Sequence, residues 1–242
     1  MPSHDEVRGL LSRAFGDWTI RRPEPAWTAR AVADADARGF LTDIGLPVQA
    51  LNLFSLDPAF GAVPVTLAGH VAAPPPSAGV STRIVDAYGH LILLGSLPDL
   101  GAFLDPATGR VVSLVNWATP PFLVNSGIAE FAYFLAYVEA HRRVNGVLLD
   151  DMDLDDGYDA AAAVAMHLMR VDPPAFADTE ENIWPIWLDD AFAIGLFHDW
   201  PWDQNAVDYF LSHGIDPTAR EPHRPLPWPM DGRPQADGGA EA

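Results

Sequence analysis

The chain has 242 residues but contains no cysteine and no lysine. Without cysteine it forms no disulfide, has no thiolate nucleophile and builds no zinc site from thiolates. Its first residues lack the basic flank and apolar core of a signal peptide, and no apolar run is long enough to cross a bilayer. From these absences we expect a soluble, cytoplasmic protein that does not bind membranes.

Charge of one sign dominates the composition. There are 33 acidic residues against 14 basic ones, every basic residue is arginine, and the formal net charge is −19. Such a surface repels nucleic acid and anionic lipid, and it attracts basic partners. The same composition also keeps a protein soluble, so charge alone leaves both interpretations open.

The sequence lacks the motifs of common catalytic sites. It contains no His-Glu-x-x-His, no Gly-x-Ser-x-Gly, no phosphate loop and no dinucleotide glycine pattern, and its eight histidines show no metal-ligand spacing. The pair His198-Asp199 has the composition of a base with an orienting acid, but such a pair in a turn is more often structural. The tryptophans at 184, 187, 200 and 202 suit core packing better than ligand stacking, because they accompany aliphatic residues. We therefore predict no catalytic residue and no cofactor.

One acidic run has part of a calcium-loop pattern. Asp151, Asp153 and Asp155 alternate as calcium ligands do. The match then fails, because Asp156 stands where the loop needs glycine and Ala162 stands where it needs the bidentate acid. We interpret the run as an exposed acidic loop and predict no metal site.

The middle of the chain predicts a sheet followed by a helix. A strand is expected over Tyr88–Gly95, and two more over Phe103–Asp105 and Val111–Val115, joined by a hairpin loop in which Gly109 takes a positive φ. After Phe122–Ile128 a helix continues to about Arg143. The side chains of Ile128, Phe131, Leu135 and Val138 recur at helical spacing and should pack on the sheet.

Further elements are predicted on both sides of this region. Helices are expected at His4–Phe15, Ala29–Ile44, Tyr158–Arg170 and Glu181–Asp190, and extended segments at Leu51–Leu56, Val63–Val71 and Arg83–Val85. We expect one domain over residues 1–216. From Pro217 onward proline, glycine and charge dominate, which predicts a disordered tail over 217–242.

Several of these segments, in this order, resemble the SUKH superfamily and are most similar to its fourth subfamily of bacterial immunity proteins. The resemblance covers about Arg38 to Arg143, with a weaker continuation at Trp184–Asp190. One departure is Gly127, where a second small polar residue is expected. The segments that carry the resemblance are Leu41-Thr-Asp-Ile-Gly-Leu-Pro47, Leu94-Gly95, Leu104-Asp-Pro-Ala-Thr-Gly-Arg-Val111 and Val124-Asn-Ser126.

The resemblance implies an α+β fold with a central antiparallel or mixed sheet and flanking helices. It also implies a protein that binds and neutralises a polymorphic toxin, which in such families is often a nuclease or a nucleic-acid deaminase. The family has no shared catalytic residue to carry over. Two alternatives stay open: an intracellular adaptor with a non-toxin partner, and an enzyme that uses scattered carboxylates.

Acidic residues of the second half are the candidate partner-binding site. Toxins that act on nucleic acids carry basic grooves, which a carboxylate array can occupy and towards which it can steer association. A solvated loop that contributes only to solubility is the competing interpretation. The candidate residues are Asp150, Asp151, Asp153, Asp155, Asp156, Glu180, Glu181, Asp189 and Asp190.

Overall fold

A computed structural model describes residues 2–50, 53–72, 82–98, 100–114, 120–144, 164–177 and 183–184. The chain divides into two compact units, residues 1–136 and 137–242. The described residues of the first unit form five α-helices, two antiparallel sheets and the start of a long helix.

Three helices open the first unit: α1 (His4–Phe15), α2 (Pro25–Ala31) and α3 (Ala35–Asp43). The single helix predicted over Ala29–Ile44 is therefore wrong, because residues 32–34 interrupt it. The Asp34 carboxylate accepts a hydrogen bond of 2.8 Å from the Ala37 amide and caps α3. The amide of Asp34 also donates to the Pro106 carbonyl, so a distant loop stabilises the break.

The predicted α+β class is confirmed, and every strand pairing among the described residues is antiparallel. A two-stranded sheet joins β1 (Ile20–Arg21) to β2 (Leu46–Pro47). The larger sheet has six strands in chain order, which are β3 (Gln49–Ala50), β4 (Phe54–Leu56), β5 (Ile92–Leu97), β6 (Leu100–Leu104), β7 (Val111–Leu114) and β8 (Phe122–Asn125).

The hairpin between β6 and β7 forms as predicted. Gly109 has a φ of 73°, and its amide donates to the Asp105 carbonyl at 2.9 Å. The Asp105 carboxylate accepts from the Thr108 hydroxyl at 2.7 Å, which holds the turn from within. Local residue chemistry therefore determines this turn.

Two segments expected to be extended are helical. The structure places α4 over Leu67–Ala72 and α5 over Thr82–Tyr88, so β5 begins only at Ile92. Of the predicted Val63–Val71 strand, a single bridge from Thr66 to Ile92 is present. Both helices bury an apolar residue against the sheet, and this packing overrides the strand preference of short apolar runs.

The two faces of the large sheet are packed differently. On one face α4 and α5 cover an apolar cluster of Leu67, Ile84, Leu91, Leu93, Phe103 and Leu114. On the other face, α6 (Ile128–Val144) brings Phe131 against Phe54 of β4. Phe131 and Leu135 are completely buried, as their helical spacing predicted.

The second unit is described in part. It contains the end of α6, a helix α7 over residues 164–171 and a 3-10 turn at Pro173–Phe176. Val164, Leu168 and Trp184 are fully buried, which agrees with a core role for this tryptophan. The start of the predicted Tyr158–Arg170 helix lies outside the described residues, as does the tail from Pro217.

Candidate binding groove and histidine stack

A groove lies on the face of the large sheet that α4 and α5 cover only in part. Its volume is about 520 Å³. Strands β4, β5 and β6 form its floor, and α4 contributes His70 to the rim. Concave, partly apolar sites of this size are the usual places where proteins take a ligand or a partner side chain.

The strand register creates the floor of the groove. Ser55 lies opposite Ser96, and Ser96 lies opposite Gly101. Opposed residues of antiparallel strands project from the same face of the sheet. The exposed side chains of Ser55 and Ser96 therefore lie beside Gly101, which has no side chain. A Cβ at Gly101 would lie 2.7 Å from the Phe103 ring, so glycine is what allows this ring to lie over the strand.

Apolar side chains and one carboxylate complete the lining. Leu93 and Phe103 form the wall next to α4 and α5, and Leu97 and Leu100 line the groove at the β5–β6 turn. Asp57, directly after β4, supplies the carboxylate. Its Oδ1 accepts a hydrogen bond of 2.7 Å from the Ala59 amide, which fixes the side chain in a tight turn.

A second feature is a stack of three rings in the second unit. The Tyr137 ring lies 4.0 Å from that of His141 and 4.2 Å from that of His167, measured between centroids. Two rings at these distances cannot share one face, so Tyr137 lies between the two histidines. His141 Nδ1 is 2.8 Å from the Tyr137 carbonyl, and because a carbonyl only accepts, Nδ1 carries the proton.

Both histidines of the stack are neutral at pH 7. Burial lowers the pKa of His141 from 6.5 to about 4, and the neighbouring His167 lowers it further while the Tyr137 carbonyl opposes the shift. Burial likewise lowers the pKa of His167 to about 4, with a smaller contribution from the charge of Arg170. The stack is thus a packed aromatic element, and it carries no charge near neutral pH.

The predicted acidic site cannot be placed in this structure. Asp150 to Asp156, Glu180, Glu181, Asp189 and Asp190 all lie outside the described residues, as does the His198-Asp199 pair. Within the described residues no three acidic or histidine side chains gather as metal ligands do. No described helix is long and apolar enough to cross a membrane.

Sequence reasoning missed the groove and the stack. The spacing of Tyr137 and His141, one helical turn apart, was a detectable signal for the stacked pair. Nothing local points to His167, which is far away in the chain. No sequence motif marks the groove residues. Ser55 and Ser96 become neighbours only through the pairing of β4 with β5, and Asp57 follows directly after β4.

The fold and the groove together define an acidic α+β protein built on an antiparallel sheet, with a surface suited to binding. The family model described as SUKH-4 immunity protein matches residues 7–190, well over half of the chain. The chain therefore belongs to the SUKH-4 immunity protein family, and the match extends beyond the segment whose motifs first suggested it. Searches of the curated proteins and of the solved structures returned no match to this chain.

Proposed function

We propose that this immunity protein binds a cognate protein toxin and blocks it without carrying out any reaction itself. Membership of the SUKH-4 immunity protein family, matched over residues 7–190, is the observation that carries the proposal. The toxin acts on nucleic acid, as a nuclease or a nucleic-acid deaminase. Its phosphate-binding groove is basic and complements a chain whose net charge is −19.

The acidic runs of the second half steer the encounter. Five carboxylates fall within Asp150–Asp156, and Glu180, Glu181, Asp189 and Asp190 follow them in the chain. Arg170 is the only basic residue between the two runs, so the charge of this stretch is strongly negative. Such a field raises the association rate with a basic groove and is screened by salt.

Two measurements test this function with the toxin encoded by the neighbouring gene: protection of cells that make the toxin, and binding of the toxin by the purified protein. Co-expression of the immunity protein should restore growth of cells that make the toxin, and the purified pair should form a complex. Lack of both protection and complex formation would reject the proposed function. A complex without protection would instead favour an adaptor role.

The steering role has its own measurement. Replacing the five carboxylates of Asp150–Asp156 by amides should slow association about tenfold or more at low salt and weaken its salt dependence. A control variant neutralises five exposed carboxylates of the first unit, which are Glu6, Glu24, Asp36, Asp43 and Asp86. Equal association rates for the two variants would assign the acidic runs to solubility alone.

A further inference from the structure

We infer that the groove over Ser55, Ser96 and Gly101 receives an arginine side chain of the toxin. This inference rests on the proposed function and specifies how the partner is held at short range. It concerns the first unit, whereas the steering carboxylates belong to the second.

The polar groups of the groove select a cation. Among the described residues that line it there is one carboxylate, that of Asp57, one histidine, His70 at the rim, and no arginine. The Ala59 amide uses Oδ1, and Oδ2 receives no hydrogen bond from the described residues. An anionic ligand would meet this carboxylate within a chain of net charge −19, so a phosphate or an acidic peptide is disfavoured.

The apolar lining favours a cation on a long stem. Leu93, Leu97, Leu100 and Phe103 line the groove beside the serines, and Leu100, which is half-buried where the other three are buried, offers the apolar surface most open to methylene groups. Arginine buries its stem along apolar surface and presents a planar fork of donors at the tip. That fork can bond a carboxylate and neighbouring hydroxyls together, whereas the compact ammonium of lysine makes less directional contacts.

The sheet itself keeps the groove open. Ser55 and Ser96 are exposed although they lie on the face that α4 and α5 cover elsewhere, where Leu93 and Phe103 are buried. Gly101 continues their row without a side chain, and Phe103 lies over it, which leaves a depression beside the serines. The site is therefore built on strands, which hold it rigidly for a partner.

The first experiment measures binding of the full chain to the neighbouring gene's toxin by titration calorimetry. Asp57→Asn keeps an acceptor for the Ala59 amide but removes the charge, and it should weaken binding about tenfold or more. Ser96→Arg places a cation in an exposed position of the groove and should weaken binding at least as much. The matched control Asp86→Asn removes one exposed carboxylate on α5, outside the groove, and should bind within about twofold of the natural chain.

A second experiment uses a small probe and does not need the toxin. Acetyl-arginine methylamide, added to the full chain, should shift the backbone amide NMR signals of Ser55, Ser96 and Gly101. Acetyl-glutamate methylamide should leave them in place, and Asp57→Asn should abolish the arginine response. Equal responses to the two probes, or no response at these amides, would overturn the arginine assignment.

The outcomes separate the two claims. If the natural chain binds the toxin and both groove variants bind equally well, the groove inference fails while the proposed function stands. If the natural chain does not bind the toxin at all, the proposed function fails, and so does the inference that a toxin arginine occupies the groove. Loss of binding by Asp57→Asn and Ser96→Arg, but not by Asp86→Asn, supports both the proposed function and the groove inference.

Discussion

Phe54 of β4 and Phe131 of α6 pack edge to face, with ring centroids 5.3 Å apart and ring planes at 88°. This pair connects the long helix to the sheet face opposite the groove. Ser55, the neighbour of Phe54, projects to the groove side, because successive residues of a strand alternate between faces. The packing of α6 and the exposure of the groove serine thus depend on one strand register.

Truncation of Phe131 should therefore destabilise the first unit. Phe131→Ala removes a fully buried ring and its contact with Phe54, and we expect the free energy of unfolding to fall by roughly 3–5 kcal/mol. Denaturant unfolding followed by circular dichroism measures this. Val63→Ala, at a side chain that is 65% exposed, is the control and should change little. Equal stability of the two variants would contradict the core assignment.

Two glycines should respond oppositely to alanine. Gly45 follows the end of α3 with a φ of 85°, and a Cβ there would lie 2.3 Å from the Arg21 carbonyl. We expect Gly45→Ala to destabilise the fold by about 2 kcal/mol or more. Gly39 lies inside α3 with nothing near its Cβ position, so Gly39→Ala should stabilise by about 0.5–1 kcal/mol. Thermal melts of both variants would show the opposite signs, and a shared sign would contradict the backbone geometry.

The histidine stack should make stability fall as the pH is lowered from about 6.5 to 4. The folded chain keeps His141 and His167 neutral, with pKa values of about 4, whereas in the unfolded chain they take up protons near 6.5. Between these values the unfolded state binds more protons, so protonation favours unfolding. The loss should be roughly 1–3 kcal/mol for each histidine, and smaller for the partly exposed His167.

Unfolding free energies at several pH values test the stack. His167→Gln should flatten the pH dependence over this range, whereas His90→Gln, at an exposed turn, should not. Carboxylates also titrate in this range, so the difference between the variants is the quantity to compare. Identical pH profiles for the natural chain and His167→Gln would show that the stack does not exclude protons.

Calcium should not stabilise this protein appreciably. The run from Asp151 to Asp155 lacks the glycine and the terminal acid that organise a calcium loop. Millimolar calcium should raise the melting temperature by about 1 °C or less, and magnesium, as the control, should have the same small effect. A saturable increase that is specific to calcium and disappears in Asp153→Asn would establish a site.

Deletion of the tail from Pro217 should leave cooperative unfolding unchanged. The deleted segment carries few large apolar residues, namely Leu226, Trp228 and Met230. If residues 1–216 form one domain, calorimetry should show a single transition at the same temperature for the full and shortened chains. Two separate transitions would instead indicate two domains, and a lower melting temperature would show that the tail docks.

The sequence alone predicted the features that depend on local chemistry. The hairpin turn at Gly109, the helix end predicted at Ile44 and the buried stripe of α6 all follow from residue types at short spacing. The order of these pieces also predicted the family that the chain belongs to. These local predictions hold in the folded chain because turn geometry and helical periodicity do not depend on distant parts of the chain.

Only the tertiary structure decided the rest. The segments that form α4 and α5 are short and apolar, and their type depends on the sheet face that they cover. The groove exists because register places Ser55, Ser96 and Gly101 in one row, although the first two are far apart in the chain. Tyr137 and His167 stack only because the fold brings two distant segments together. These contacts follow from the pairing and packing of segments that are distant in the chain, and no local sequence pattern predicts which distant segments will meet.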